Sequence, residues 1–245
     1  MADKSYIGKG SVFVKEVGVA GPAVNIGNVH QFDVSQSLSE RSLADYESIS
    51  GGEANSSSRI ESVTATLQLR DVSAANLALG GLGKVTSIAA GAIVDEPHTG
   101  YKGGFLRTAF NLDTSVAPTV TGTGGTPTYV AGTDYTVRAA GVFILEGSTI
   151  PAATAREISY TKKGGNRVDF LVASGKEFTV TFAGLNEAQS GSALTGDIWR
   201  FKPNPFQTLS LMGDDYATLD LTGKILRDAT KTGPDESQFY VAEVE

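Results

Sequence analysis

Residues 60–71 read IESVTATLQLRD, and their alternation decides the fold class. Val63, Ala65, Leu67 and Leu69 are apolar while Thr64, Thr66, Gln68 and Arg70 are polar, which describes a strand with one buried and one wet face. KEFTVTFAG repeats the device with Phe178, Val180 and Phe182 against Thr179 and Thr181, and YATLDLTGKIL repeats it with Ala217, Leu219 and Leu221 against Thr218, Asp220 and Thr222. Threonine suits such a surface because its stiff branched side chain packs well on a pleat. Further strands are expected at 11–17, 28–38, 195–202 and 206–212, and the ending DESQFYVAEVE reads as a strand or a docking tail. One helix is expected over 74–79, capped by Ser73, ended by Gly80 and Gly81, and packed through the Leu77 and Leu79 side because two turns are marginal alone.

Between about 81 and 165 the composition shifts to Gly, Thr, Ala and Pro, with turn clusters separating the short strand candidates FLRTAF, YTVRAA, VFILEG and REISYT. This reads as a small β-sandwich module inserted into a main domain formed by 1–80 and 166–245. No internal repeat or heptad array interrupts that division.

At 245 residues and 40% apolar content the chain buries an ordinary core. It has no cysteine, which excludes disulfides, thiolate metal sites and cysteine nucleophiles. A net charge of −7 disfavours nonspecific capture of nucleic acid. MADKSYIGKGSVF lacks the apolar run of a signal peptide and no segment has the length of apolar sequence that a membrane helix needs, so the expectation is a soluble chain with no membrane partner.

Catalytic signatures are sparse, and neither a cofactor nor a metal is expected. His30 and His98 lack a spaced metal-ligating partner and read as a solvent-side strand histidine and a loop histidine. There is no Gly-x-Ser-x-Gly elbow. Asp214 and Asp215 are adjacent, so on extended chain they point apart; a solvated turn is expected, with a distant carboxylate pair of a glycosidase as the rival. GTGGTP at 122–127 lacks both the third glycine of a dinucleotide loop and the Lys-Ser/Thr of a P-loop, and reads as a turn. Lys162-Lys163-Gly164-Gly165 reads as a hairpin turn ending the insert, and Asn55-Ser56-Ser57 matches a glycosylation sequon that matters only for a secreted protein.

What remains is surface. ADYESISGGEANSSSRIES, residues 44–62, is dominated by Ser, Gly, Asn and Glu, with Tyr46 and Ile49 its only large apolar residues before Ile60. A long polar stretch between two strands is expected to be a flexible arm over 44–58 that orders on docking to a neighbouring copy, through Asp45, Tyr46, Glu47, Ile49, Glu53, Asn55 and Arg59. A floppy loop with no partner is the alternative. Sheets with alternating faces also leave edges that must be covered, charged or paired. If identical subunits join edge to edge around an axis, the polar faces carrying Asp33, Ser35, Thr64, Thr66 and Gln68 line a wet channel.

MADKSYIGKGSVFVKEVG, the NIGNV turn, the ADYESISGG arm followed by RIESVTATLQLRDVSAANLALG, and FAGLNEAQSG with the late GPDESQFY together resemble the major tail tube protein of long-tailed bacteriophages. The likeness covers about 1–80 and 166–245, while YKGGFLRTAF, DYTVRAAGVFILEGS and ISYTKKGGN resemble the insert of one branch. The resemblance implies a mainly β fold: a tail-tube-type barrel or sandwich, one short flanking helix and an inserted immunoglobulin-like module on the outside. It implies a structural, non-enzymatic role in the virion, after assembly in the host cytoplasm. Hexameric rings would stack around a tape measure protein, bounded by tip and terminator proteins, and viral DNA would pass through without specific binding. Rival expectations are a secretion-system tube protein, a carbohydrate-binding β-sandwich, which clustered exposed aromatics would favour although Trp199 is the only tryptophan, and a carboxylate hydrolase.

Overall fold

The computed structural model describes residues 4–47 and 49–245. The chain is mainly β with one short α-helix and divides into two compact units, residues 1–85 with 168–245, and 86–167. The sequence reading placed these boundaries at 80/81 and 165/166.

The first unit begins with β1 (Gly8–Glu16), β2 (Val24–Asn25), β3 (Val29–Ala44), β4 (Glu53–Leu69) and α1 (Ala74–Gly80), and β5 (Lys84–Ile88) runs across the boundary into the second. The second follows with β6 (Gly91–Gly100), β7 (Phe105–Arg107), β8 (Thr119–Gly122), β9 (Thr128–Tyr129), β10 (Tyr135–Arg138), β11 (Gly141–Ile144) and β12 (Thr154–Lys162). The chain returns through β13 (Gly165–Asp169) and completes the first unit with β14 (Phe178–Asn186), β15 (Ser192–Pro203), β16 (Leu219–Ile225) and β17 (Tyr240–Val244). β5 and β13, the outgoing and returning segments, pair with each other.

In the first unit the strand order is β2-β1-β14-β15-β16-β4-β3, with β17 also paired to β15. β15 divides its length, meeting β17 over Leu194–Ile198 and β16 over Phe201–Pro203. The alternating residues of the opening stretch form the core: Val63, Ala65, Leu67 and Leu69 are buried with Leu219, Leu221, Ile225, Val180, Ile198 and Phe201. Phe32 of β3 and Phe182 of β14 meet edge-to-face with ring centroids 6.1 Å apart, so the two arms of the sheet fold toward each other over this core.

The helix starts as expected, because Ser73 Oγ accepts from the Asn76 amide at 3.1 Å, and it ends at Gly81, whose amide donates to Leu77 O at 2.8 Å. Asn76 is buried, and its Nδ2 donates to Ile26 O and Asp71 O, both at 2.8 Å, tying α1 to the turn before β3. In that turn Gly27 has φ +88, and a Cβ there would meet Asp71 Oδ2 at 2.0 Å, so both backbone sign and space require glycine.

Residues 206–212 do not form the expected strand. The Phe206 amide donates to Gly80 O at 2.7 Å and its ring packs edge-to-face on Phe170 at 5.7 Å, and Leu209 turns to the core while Leu211 and Met212 stand in solvent. The Leu-Ser-Leu alternation there is a coincidence of composition.

The second unit has two sheets, β6-β12-β8-β9 and β10-β11-β7, that share one core of Leu106, Val120, Tyr135, Val142, Ile144 and Ile158 among others. β6 was not anticipated, because Asp95 at φ +52 and a register shift opposite Ile158–Tyr160 break its alternation. His98 therefore lies on a strand, not a loop, and its Nε2 meets Glu96 Oε1 at 2.8 Å. Lys162–Gly165 is likewise no hairpin turn: it connects β12, paired to β6 and β8, with β13, paired to β5.

Asp134 holds the β9–β10 and β11–β12 connections together. Its buried carboxylate accepts from the amides of Val130 at 2.9 Å and Thr149 at 2.8 Å, and from the hydroxyls of Thr149 at 2.8 Å and Ser148 at 3.2 Å. These bonds, the two backbone amides foremost, lower its pKa to about 2. The folded value lies below the ordinary 3.8, so this contribution to stability is complete above that pH and is lost as pH falls toward about 2. Asp134→Ala is expected to cost the second unit about 3 kcal/mol and to accelerate hydrogen exchange at the Val130 and Thr149 amides; unchanged exchange would refute this role.

Candidate functional site

The β3–β4 ladder runs without a third strand on the β3 side. Among the described residues β3 pairs with β4 alone, so a 16-residue edge presents its outward N–H and C=O groups unpaired by any strand. β4 changes character halfway along: Glu53–Glu61 is exposed on both faces, and from Val63 onward alternate residues are buried. The nine exposed residues, paired back to Ala44, carry a two-stranded hairpin about 30 Å beyond the core at ~3.3 Å per residue.

This corrects the flexible arm expected over 44–58. Residues 53–58 belong to β4, with Glu53 opposite Ala44, Asn55 opposite Leu43 and Ser57 opposite Arg41, and Arg59 lies opposite Ser39. Only 45–52 forms the tip, of which Ser48 lies outside the described residues. Asp45 closes that tip: its amide donates to Gly52 O at 2.9 Å and its Oδ1 accepts from the Glu47 amide at 2.8 Å. Tyr46 is 90% and Ile49 108% exposed, relative to the free residue, so the tip offers two large apolar side chains to whatever it meets. Leu38, Leu43 and Ile60 are exposed on the hairpin behind them.

Asp33, Ser35, Thr64, Thr66 and Gln68 do share one face, opposite the buried one. Asp33 pairs with Thr66 and Ser35 with Thr64, whose hydroxyls lie 2.7 Å apart, while Gln68 pairs with Gln31. β16 continues this surface with Asp220 opposite Gln68, Thr222 opposite Thr66 and Lys224 opposite Thr64.

Sequence reasoning missed a groove of about 520 Å³ between β3 and residues of β1, β15 and β17. Lys9, His30, Phe32, Asp197 and Tyr240 line it, and the Gln36 side chain donates across it to the Tyr240 hydroxyl. It is an open seam along the same edge. The signal available in sequence was the paired strand character of 28–38 and the carboxy-terminal stretch, without any register to bring them together.

Charge is unevenly divided. The first unit carries 13 Lys and Arg against 21 Asp and Glu, a net charge of −8, and the second carries 7 against 6, a net charge of +1.

Gly124 and Gly125 in GTGGTP direct their amides onto the Glu157 carboxylate at 3.1–3.2 Å, so the donors a phosphate would use are already occupied. Asp214 and Asp215 lie in an exposed bend. The sequon Asn55-Ser56-Ser57 lies in the β4 ladder. Trp199 donates from Nε1 to Ser237 O at 3.0 Å and carries Lys231 Nζ over one face of its ring, 4.0 Å from the centroid. Among the described residues no group of three or more His, Asp or Glu is placed to hold a metal, and no helix is long and apolar enough to cross a membrane. The carboxylates with shifted titration, Asp113, Asp134, Glu177, Asp228 and Glu236, are all pushed down, chiefly by hydrogen bonds from neighbours such as Arg200 on Glu177 at 2.7 and 3.0 Å. A general acid needs the opposite shift.

Residues 5–243 match a sequence family described as "Protein of unknown function UCP028589", and the chain belongs to that family. No curated protein matches it.

The face assignment is open to test through Trp199, the only tryptophan, which reports on the first unit. In urea, Leu67→Ala is expected to lower stability by about 3 kcal/mol and Thr66→Ala by less than about 1 kcal/mol. Equal losses would mean that the two faces are wrongly assigned.

Proposed function

We propose that the chain is a structural subunit that assembles with copies of itself into a tube of the phage-tail type. The supporting observation is the β3 edge, continued into a hairpin that projects beyond the core. An isolated two-stranded hairpin is marginal in water, and an unprotected edge is a template for another strand. β3 carries no proline and no residue with positive φ. The comparable edge strand of the second unit, β6, carries both Asp95 at φ +52 and Pro97. β6 is blunted along its middle, whereas β3, bulged only between Val29 and Gln31 on its own strand, keeps a long run of its edge open for pairing.

In this reading neighbouring first units join through β3 and its seam into a closed ring, and the hairpin tip reaches a further copy. The exposed Leu211, Met212 and Tyr216 between β15 and β16 are an apolar surface suited to Tyr46 and Ile49. The face of Asp33, Ser35, Thr64, Thr66 and Gln68 lines the bore, and the net −8 of the first unit keeps a passing phosphate backbone from sticking. The resemblance to tail tube proteins supplies the hexameric ring, the stacking around a tape measure protein, the tip and terminator partners, and the virion as location.

Light scattering after size exclusion, with negative-stain imaging, tests this at rising protein concentration. Rings or tubes are expected, and a monomer that persists at every concentration, with tape measure and tip proteins also added, would refute the reading. Replacing 39–59 by Asn-Gly, which closes Leu38 to Ile60, removes only exposed hairpin and is expected to leave a folded subunit that no longer stacks. Leu38→Lys with Leu43→Lys places charge on the edge and is expected to reduce assembly at least tenfold; undiminished assembly of both variants would exclude the hairpin.

A further inference from the structure

The second unit contains a cavity of about 330 Å³ whose charge runs against that of the chain as a whole. It is lined by Ile88, Arg107, Phe110, Asn111, Lys163 and Arg167, together with Ala109 and the 164–166 backbone, and no carboxylate is among its lining residues. Arg107 is fixed in place by neutral acceptors: Nη1 donates to Ala140 O at 2.7 Å and Thr108 O at 2.8 Å, and Nη2 to Asn111 Oδ1 at 3.2 Å. A guanidinium held by carbonyls is oriented yet keeps its full charge. Lys163 is positioned through its backbone, whose amide donates to Asn111 O at 2.8 Å, and its side chain is exposed. Gly164 and Gly165 leave the wall between the cations without side chains, and a Cβ on Gly165 would meet nothing within 4 Å.

The apolar part of the wall is Phe110 and Ile88. Lys162 Nζ stands 4.7 Å from the Phe110 ring centroid, adding a fourth positive charge next to the cavity. The volume is at the lower end of small-molecule sites, enough for one ring-sized group. Convergent Arg and Lys donors favour an oxyanion, which guanidinium binds through two parallel hydrogen bonds. An aromatic wall beside them favours a body with an apolar face.

We propose that this cavity is a binding site for an anionic sugar, a single ring bearing a phosphate or a carboxylate. Arg107 and Lys163 hold the anionic group, and Phe110 packs against the ring. The site lies within the second unit, so it stands whether or not the first unit assembles.

Equilibrium dialysis of the full chain against radiolabelled glucose 6-phosphate and, separately, glucuronate tests the proposal, with unlabelled glucose and potassium chloride as competitors. The expected result is saturable uptake of one molecule per chain for at least one of the two ligands, with neither glucose nor chloride at equal concentration displacing it. The stronger ligand identifies the preferred anion. Lys163→Gln and Arg107→Gln are each expected to weaken binding on the order of tenfold, and Arg138→Gln, an exposed cation of the same unit outside the cavity, to leave it unchanged. Should Arg107→Gln fail to fold, Lys163→Gln on the exposed connector decides alone. Absence of saturable binding for both ligands, displacement by chloride, or binding unaffected by Lys163→Gln overturns the site.

Discussion

The β3–β4 backbone ladder is the constraint on which the rest of the first unit depends. Its inner half is fixed by side chains: burying Val63, Ala65, Leu67 and Leu69 on one face sets the register, because a slip of one residue would send all four into water. The outer half continues that ladder, offset by one residue between Ser37 and Leu38, with no apolar burial of its own: Ser56, Ser57 and Ser58 align with Ser42, Arg41 and Glu40 through main-chain bonds alone. A buried pattern at one end thus extends an ordered projection at the other.

That coupling explains what the sequence conveys and what it hides. Wherever one face of a strand is buried, as through 63–69, 178–182 and 219–221, alternation is plain and both the core residues and their polar counterparts Thr64, Thr66 and Gln68 are legible. Where both faces are wet, as through 53–61, composition matches that of a loop, and the strand is invisible to any reading that relies on hydrophobic period. Of the seven residues assigned to the arm, Asp45, Tyr46, Glu47 and Ile49 do lie in the tip, whereas Glu53, Asn55 and Arg59 belong to β4. β6 was hidden for a different reason, since a bulge at Val94 and Asp95 disrupts the period that would have revealed it. Conversely, 206–212 shows alternation without a strand: its first amide, of Phe206, is tied to Gly80 O at the end of the helix and not to a ladder.

Partly buried polar side chains organise the backbone. Glu157 is drawn over the glycine amides of the β8–β9 turn, Asp134 gathers two connections, and Asn76 anchors the helix. Each satisfies donors or acceptors that no strand ladder reaches, which is the usual use of a partly buried polar side chain. The cations of the second unit depart from this pattern: Arg107 is braced by carbonyls, and its charge remains available.

The pairing of β5 with β13 has a consequence for how such a chain diversifies. The outgoing and returning segments lie side by side, so whatever is strung between them adds a closed excursion whose ends already meet. Lineages are therefore free to lose, lengthen or exchange that excursion as a cassette, and the same doorway offers an engineer a place to graft foreign cargo.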